Sequence, residues 1–170
     1  MKRTKNLLGL PYAPTEVAGR TRRRFEALGR ADARKYKNVQ DFSRTHAILE
    51  AEAMAQAGQH RVNQWLVQMV QPIIAGNSRI GLQVREIQAE LLVLSSTKRL
   101  SGRHDSQMNA KAESLKVDLA FLAAQHESNL RAIESMRLQA EAGFASWVGY
   151  FSSLCAIYSR SRTLEDKSAT

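Results

Sequence analysis

Apolar side chains recur at steps of three and four residues along most of the chain. The clearest short series contains five positions: Ile80, Val84, Ile87, Leu91 and Leu94. This spacing repeats every seven residues and is typical of helices that pack side by side along their length. It predicts a long amphipathic helix that begins at Asn77 or Ser78, since either side chain can cap the amino end of a helix.

The last part of the chain keeps the same period over a longer distance. Two series of apolar positions follow it: Met108, Ala112, Leu115, Leu119 and Leu122, and then Ala140, Phe144, Trp147, Phe151, Leu154 and Tyr158. They predict a helix from Asp105 to Arg160, which would be roughly 80 Å long at about 1.5 Å per residue. Helices of that length are typical of coiled coils, stalks and oligomers rather than compact monomers.

Helix-breaking residues divide the remainder of the chain. Thr15 begins a predicted first helix that extends to Lys37 and contains few apolar residues. A second helix is predicted after Asp41, and Pro72 together with the small residues at 75–78 predicts its end. Residues 101–104 form the next break signal, and the sequence leaves open whether they form a hairpin or only kink one long helix.

Composition favours the same fold class. Only 6% of the residues are aromatic, so the 44% hydrophobic fraction is rich in alanine and leucine, which favour helices over sheets. We therefore predict an all-α protein, an elongated antiparallel bundle of coiled-coil-like long helices with a basic amino-terminal arm. The predicted domains are the arm with its polar helix (residues 1–40), the long-helix bundle (41–160) and a polar tail (161–170).

Positive charge is concentrated at the amino end. Residues 1–44 contain twelve basic and four acidic side chains, which is +8 of the total formal charge of +9. Such clustering indicates contact with nucleic acid or with an anionic lipid surface, and the alternative is a solvated helix face that serves only solubility. The candidate residues for this contact are Arg20, Arg22, Arg23, Arg24, Arg30, Arg34, Lys35 and Lys37.

An uncharged segment of eighteen residues, 142–159, lies near the carboxy end. Its large side chains follow one stripe, whereas its small residues Ala145, Gly149 and Ser153 follow another at a spacing that lets helices approach closely in membranes. The segment predicts packing in a core or against a partner helix, conditional membrane insertion, or a transmembrane helix. The candidate residues for membrane contact or subunit packing are Phe144, Trp147, Gly149, Phe151, Leu154 and Tyr158.

The sequence contains no pattern typical of a catalytic or metal site. Its four histidines, His46, His60, His104 and His126, do not have the helical spacing of a metal-binding pair. The single cysteine, Cys155, lies in an apolar segment, which favours a buried structural thiol. Carboxylates on polar faces are expected to pair with nearby cations, as in Glu113 with Lys116 and Glu134 with Arg137. We predict no catalytic residue, no metal, no cofactor and no enzymatic activity.

Three features occur in order between residues 94 and 159. A small-residue turn at 95–106 contains Ser-Gly, the helical stretch at 129–143 is rich in Ala, Gln, Asn and Arg, and the apolar segment follows. Through these three features, somewhat over a third of the chain resembles the internal virion, or ejection, proteins of short-tailed bacteriophages. The resemblance implies a capsid protein that is ejected with the DNA and assembles into a conduit across the host envelope. Residues 1–14 differ, being basic and proline-containing, where those proteins begin with an apolar, alanine-rich segment.

Three functions of different classes agree with these patterns. The first is a non-enzymatic virion component of the ejection type, in the capsid interior and delivered to the host envelope. It would form homo-oligomers or bind other virion proteins, contact DNA through the arm and contact membrane through residues 142–159. The second is a cytoplasmic packaging or ribosome-associated protein that binds nucleic acid without sequence preference. The third is a coiled-coil stalk or chaperone of a bacterial secretion or conjugation machine.

Overall fold

The protein folds into three α-helices, in a computed structural model that describes residues 14–35, 46–101 and 106–168. Helix α1 spans Gly19–Lys35, α2 spans His46–Ser101 and α3 spans Ser106–Ser168. No strand occurs among these described residues. The prediction of an all-α protein with long helices is therefore confirmed, and α2 and α3 contain 56 and 63 residues.

Contacts group the described residues into two compact units. Unit 1 contains those within Met1–Leu66 and Leu138–Thr170, and unit 2 contains those within Val67–Arg137. Unit 1 thus comprises α1, the first part of α2 and the last part of α3. This grouping differs from the predicted domains 1–40, 41–160 and 161–170, because α2 and α3 each contribute to both units.

The helices of unit 2 form an antiparallel pair. Lys111 near the start of α3 forms an ion pair with Glu90 near the end of α2. Further along, Asn129 Nδ2 donates a hydrogen bond of 2.7 Å to Asn77 Oδ1. Later positions in α3 therefore contact earlier positions in α2, so the two helices are antiparallel. The chain therefore reverses direction between α2 and α3, and the break predicted at 101–104 falls largely on residues 102–105, which lie outside the described part.

The predicted end of the second helix at Pro72 and residues 75–78 is wrong. Helix α2 continues through them, with Pro72 inside it at an exposed position, although proline lacks the N–H that would bond the carbonyl one turn earlier. Asn77 uses its side chain to bond α3 instead of capping a new helix. Ser78 Oγ donates to the carbonyl of Ile74 within α2 at 3.1 Å, which is compatible with a continuous helix.

Two other predicted boundaries also need correction. Helix α1 begins at Gly19 instead of directly after Thr15, and Lys37, its predicted end, lies outside the described residues. Helix α3 continues past Arg160 to Ser168, so most of the predicted polar tail 161–170 is helical. The extension is stabilised within unit 1, because Ser161 and Arg162 are buried and the latter's backbone lies close to α1.

Unit 1 has a core of buried apolar side chains and three close helix contacts at glycines. Gly29 on α1 lies against the backbone of α3, and Gly58 on α2 lies against the indole of Trp147. In the third contact, Gly143 on α3 lies against Val62 on α2. Because a side chain at any of these positions meets occupied space, glycine lets the helices approach closely. The buried apolar residues of unit 1 are Phe25, Ala33, Ala47, Ala51, Ala55, Val62, Trp65, Ala140, Trp147, Tyr150, Leu154 and Tyr158.

Unit 2 buries much less apolar surface. Among its described residues, only Ile80, Leu115 and Leu122 are buried apolar side chains, all on the faces where α2 and α3 meet. Large apolar side chains are exposed at nine positions: Val67, Met69, Ile74, Leu82, Leu92, Val93, Val117, Phe121 and Leu130. A two-helix hairpin has only one contact between helices, so its remaining faces stay in solvent.

Candidate functional site

Helix α1 is held in unit 1 by one side of its surface. Phe25, Gly29 and Ala33 are buried at four-residue intervals, which places them on one face of the helix. This face packs on α3, where Tyr158 Oη donates a hydrogen bond of 2.7 Å to Asp32 Oδ2. The opposite side of α1 is therefore fixed facing away from the core of unit 1.

That opposite side is cationic. At about 100° per residue, six basic side chains lie within about 140° of one another around the axis, centred opposite Gly29. We call this set the cationic face of α1, and its exposed members are Arg20, Arg23, Arg24, Arg30, Arg34 and Lys35. The structure thus brings six of the eight predicted binding residues together. Arg22 projects on the side of Gly29 instead, and Lys37 lies outside the described residues.

Ion pairs occupy some of the predicted arginines. Arg24 pairs with Glu50 at 2.9 Å and Arg34 with Glu165 at 2.7 Å, and Arg22 pairs with Glu26 on its own helix at 3.4 Å. These arginines remain more than half exposed, whereas the side chains of Glu50 and Glu165 are only 19% and 22% exposed. Arg20, Arg23 and Arg30 have no ion-pair partner within the described ranges.

The predicted carboxy-terminal stripe lies mainly in the core of unit 1. Trp147, Leu154 and Tyr158 are buried, and Phe144 and Phe151 are half-buried. Arg61 of α2 lies over the indole of Trp147 at 5.4 Å, and Tyr150 meets the same ring edge-on at 5.4 Å. Of the six candidates, Gly149 alone is exposed. In the part of the chain that the structure describes, no helical segment is long and apolar enough to cross a bilayer.

An open groove of about 630 Å³ runs along α1 and α3 in unit 1. Its charged lining consists of Arg22 and Arg160 opposed by Glu16 and Glu26, so the groove has no excess of either sign. Ser153, which also lines it, donates its hydroxyl hydrogen to the carbonyl of Gly149 within α3 at 2.9 Å. The groove therefore does not extend the cationic face.

The described residues form no cluster suited to binding a metal ion. No three of their histidine, cysteine, aspartate and glutamate side chains are placed to hold a metal ion. The predicted ion pairs of Glu113 with Lys116 and of Glu134 with Arg137 are confirmed, at 2.7 Å each. The hydrogen bond from Arg137 lowers the pKa of Glu134, which keeps this exposed carboxylate ionised.

The thiol of Cys155 is expected to react slowly in the folded protein. Partial burial raises its pKa above the ordinary value, so less thiolate is present at a given pH near neutrality. We expect iodoacetamide to alkylate Cys155 more slowly in native protein than in protein unfolded with urea at the same pH. The thiol ionises at a lower pH in the unfolded protein than in the folded protein. Its ionisation therefore lowers the free energy of unfolding as the pH rises from the ordinary thiol pKa towards the raised pKa. Equal alkylation rates in the two states would contradict the burial of this thiol.

Three kinds of comparison bear on the identity of the chain. Family models, curated proteins and solved structures were searched, and none matches this sequence or this fold. The resemblance of residues 94–159 to phage ejection proteins therefore stays a prediction.

Proposed function

We propose that the protein is a non-enzymatic structural component that assembles with further copies of itself through unit 2. The supporting observation is a count of side chains. Among the described residues of unit 2, only three apolar side chains are buried, whereas nine large apolar side chains are exposed. Phe121 and Leu92 are each 68% exposed. Contiguous apolar surface in water is unfavourable at about 25 cal/mol per Å² and commonly marks a protein interface.

The outer side of α3 in unit 2 has the geometry of a second packing surface. Six uncharged residues recur there at steps of four and three, on the side of α3 opposite Leu115 and Leu122, and all six are exposed. We call them the outer seam of α3: Ala110, Ser114, Val117, Phe121, Ala124 and Ser128. Two apolar side chains at the centre with small residues at both ends let another helix approach closely along the whole line.

A second copy of the chain is the occupant we propose for the outer seam. Most soluble oligomers are symmetric assemblies of identical chains, and a coiled-coil contact needs a partner with the same seven-residue period, which α3 itself supplies. Within this class, we propose a virion component of the ejection type, supported by the resemblance of residues 94–159 alone. Membrane contact through residues 142–159 belongs to that finer proposal. A stalk or chaperone with one heterologous partner is the alternative for the same surface.

Loss of apolar contact at the outer seam is expected to dissociate the assembly. The double variant Val117→Ser/Phe121→Ser removes two exposed apolar side chains without touching the buried face of α3. Each is expected to contribute about 1.5 kcal/mol or more in the interface, so the dissociation constant should rise by at least about 100-fold. Size-exclusion chromatography with light scattering over a concentration series measures it. A wild-type chain that stays monomeric throughout would refute self-assembly.

A matched control separates the outer seam from general surface hydrophobicity. Val148 and Leu164 are exposed to a similar extent on the part of α3 that belongs to unit 1. The variant Val148→Ser/Leu164→Ser should leave the dissociation constant unchanged. If it weakens assembly as much as Val117→Ser/Phe121→Ser, the outer seam is not the interface.

A second candidate function is sequence-independent nucleic-acid binding. The cationic face of α1 supports it, because packing against α3 turns most of the basic residues of this helix towards solvent. Self-assembly and nucleic-acid binding use different helices and are compatible in one protein.

A further inference from the structure

We infer that the cationic face of α1 is a binding surface for double-stranded nucleic acid, which it contacts through phosphates without reading sequence. This inference rests on the second candidate function, nucleic-acid binding, and narrows its partner to a duplex; it does not depend on self-assembly, because no residue of the cationic face belongs to unit 2. The sequence alone left open whether the anionic partner is a nucleic acid or a lipid surface. The side chains that α1 exposes in the structure distinguish between these partners.

Spacing along α1 suits a run of phosphates. Four arginines, Arg20, Arg23, Arg30 and Arg34, follow one side at steps of three, seven and four residues. At about 1.5 Å per residue they extend over about 21 Å, a length over which a duplex presents one phosphate charge per about 1.7 Å. Two further exposed positions on this side of the helix, Ala27 and Ala31, have small side chains, so that a nucleic-acid backbone can approach the helix closely there. Guanidinium groups bind phosphate oxygens in bidentate geometry.

The electrostatic state of α1 favours an added anion. The helix contains seven basic and two acidic residues, and its first turn has no acidic residue to offset the positive end of the helix dipole beside Arg20. Arg20, Arg23 and Arg30 have no competing ion pair within the described part of the chain. A phosphate at these arginines therefore competes with no carboxylate of the described residues, and counterion release from the duplex drives binding.

Duplex fits this face better than a single strand or a membrane. Single-stranded nucleic acid is held by aromatic side chains on which bases stack, and the only aromatic residue of α1, Phe25, is completely buried in unit 1. A helix that lies in a membrane surface needs large apolar side chains beside its cations, whereas the exposed face offers only alanines. Phosphate contact is the interaction that remains, and a duplex presents phosphates on a rigid surface at fixed spacing.

Fluorescence anisotropy with the full-length protein tests the inference. The probes are labelled DNA duplexes of two unrelated sequences and an RNA duplex, each titrated across a salt series. We expect similar affinities for all three and a steep loss of affinity with salt. In Arg20→Ala/Arg23→Ala/Arg30→Ala, the slope of log affinity against log salt should decrease by about 2.7, at about 0.9 per lost phosphate contact.

The control variant removes the same charge elsewhere. Arg79, Arg85 and Arg131 are exposed arginines on helices of unit 2, and their replacement by alanine should leave the slope unchanged. An equal loss in both variants would mean that binding follows net charge, and the inference would be wrong. Tighter binding of a single strand, or binding to anionic lipid vesicles without binding to duplex, would also overturn it. Because the α1 variant should assemble like wild type, failure of this inference and failure of self-assembly are distinguishable.

Discussion

Replacing Leu154 with alanine is expected to lower the free energy of unfolding of unit 1 by about 2–5 kcal/mol. The side chain is 0% exposed in the middle of the α3 segment that unit 1 buries. Its removal loses apolar burial and leaves a cavity that packed helices cannot fully close. Urea unfolding followed by far-UV circular dichroism measures the loss.

Leu164 provides the matched control for this experiment. It has the same side chain on the same helix and in the same unit, but it is 63% exposed. Leu164→Ala should change stability by no more than about 0.5 kcal/mol, as is usual for exposed positions. If both variants have the stability of wild type, the carboxy-terminal stripe is not the core of unit 1 in solution.

The same burial sets a condition on the predicted membrane contact of residues 142–159. Trp147, Leu154 and Tyr158 are occupied by contacts within unit 1, so insertion of this stripe into lipid requires unit 1 to open first. Opening exposes a core whose large residues contribute about 1.5–3 kcal/mol each. Conditional insertion therefore needs a trigger or a partner that stabilises the open state, as expected for a population shift between two conformations.

Hydrophobic periodicity was sufficient to predict that the chain is mainly long helices, but it left open whether the chain turns back between α2 and α3. The series Met108–Leu122 lies within α3, and the predicted break begins at Ser101, where α2 ends. Local breaker signals failed at Pro72 and at residues 75–78, because contacts along α2 outweigh the cost of one proline and one glycine. A single sequence contains no direct record of that tertiary contribution.

The candidate surfaces were only partly predictable for a related reason. The cluster of basic residues identified α1, but which arginines face solvent depends on how Phe25, Gly29 and Ala33 pack. The outer seam of α3 was missed, because its alanines and serines interrupt the apolar pattern that marks a packing face. The sequence did contain one signal for close packing, namely the glycines Gly29, Gly58 and Gly143. A glycine inside a helical pattern often marks a place where another element packs closely against the helix.

Gly29→Ala is expected to destabilise unit 1 even though alanine favours helix. A Cβ at this position would lie 2.5 Å from the carbonyl oxygen of Tyr158 and 3.1 Å from Ser161 Cβ, so α1 and α3 must move apart. Overpacking of this kind costs about 1–3 kcal/mol, and backbone atoms cannot turn aside as a flexible side chain does. The gain of about 1 kcal/mol in helix propensity equals only the low end of that range, and a clash with backbone belongs towards its high end, so the net change is destabilising by up to about 2 kcal/mol.

Gly149 tests whether that loss comes from contact or from the glycine itself. It lies in α3 within unit 1, and a Cβ there meets nothing within 4 Å. Gly149→Ala should therefore raise the free energy of unfolding by about 1 kcal/mol, in the direction opposite to Gly29→Ala. Chemical denaturation of both variants gives the two signs directly. If Gly29→Ala also stabilises the protein, α1 is not packed tightly on α3, and the orientation that exposes the cationic face loses its basis.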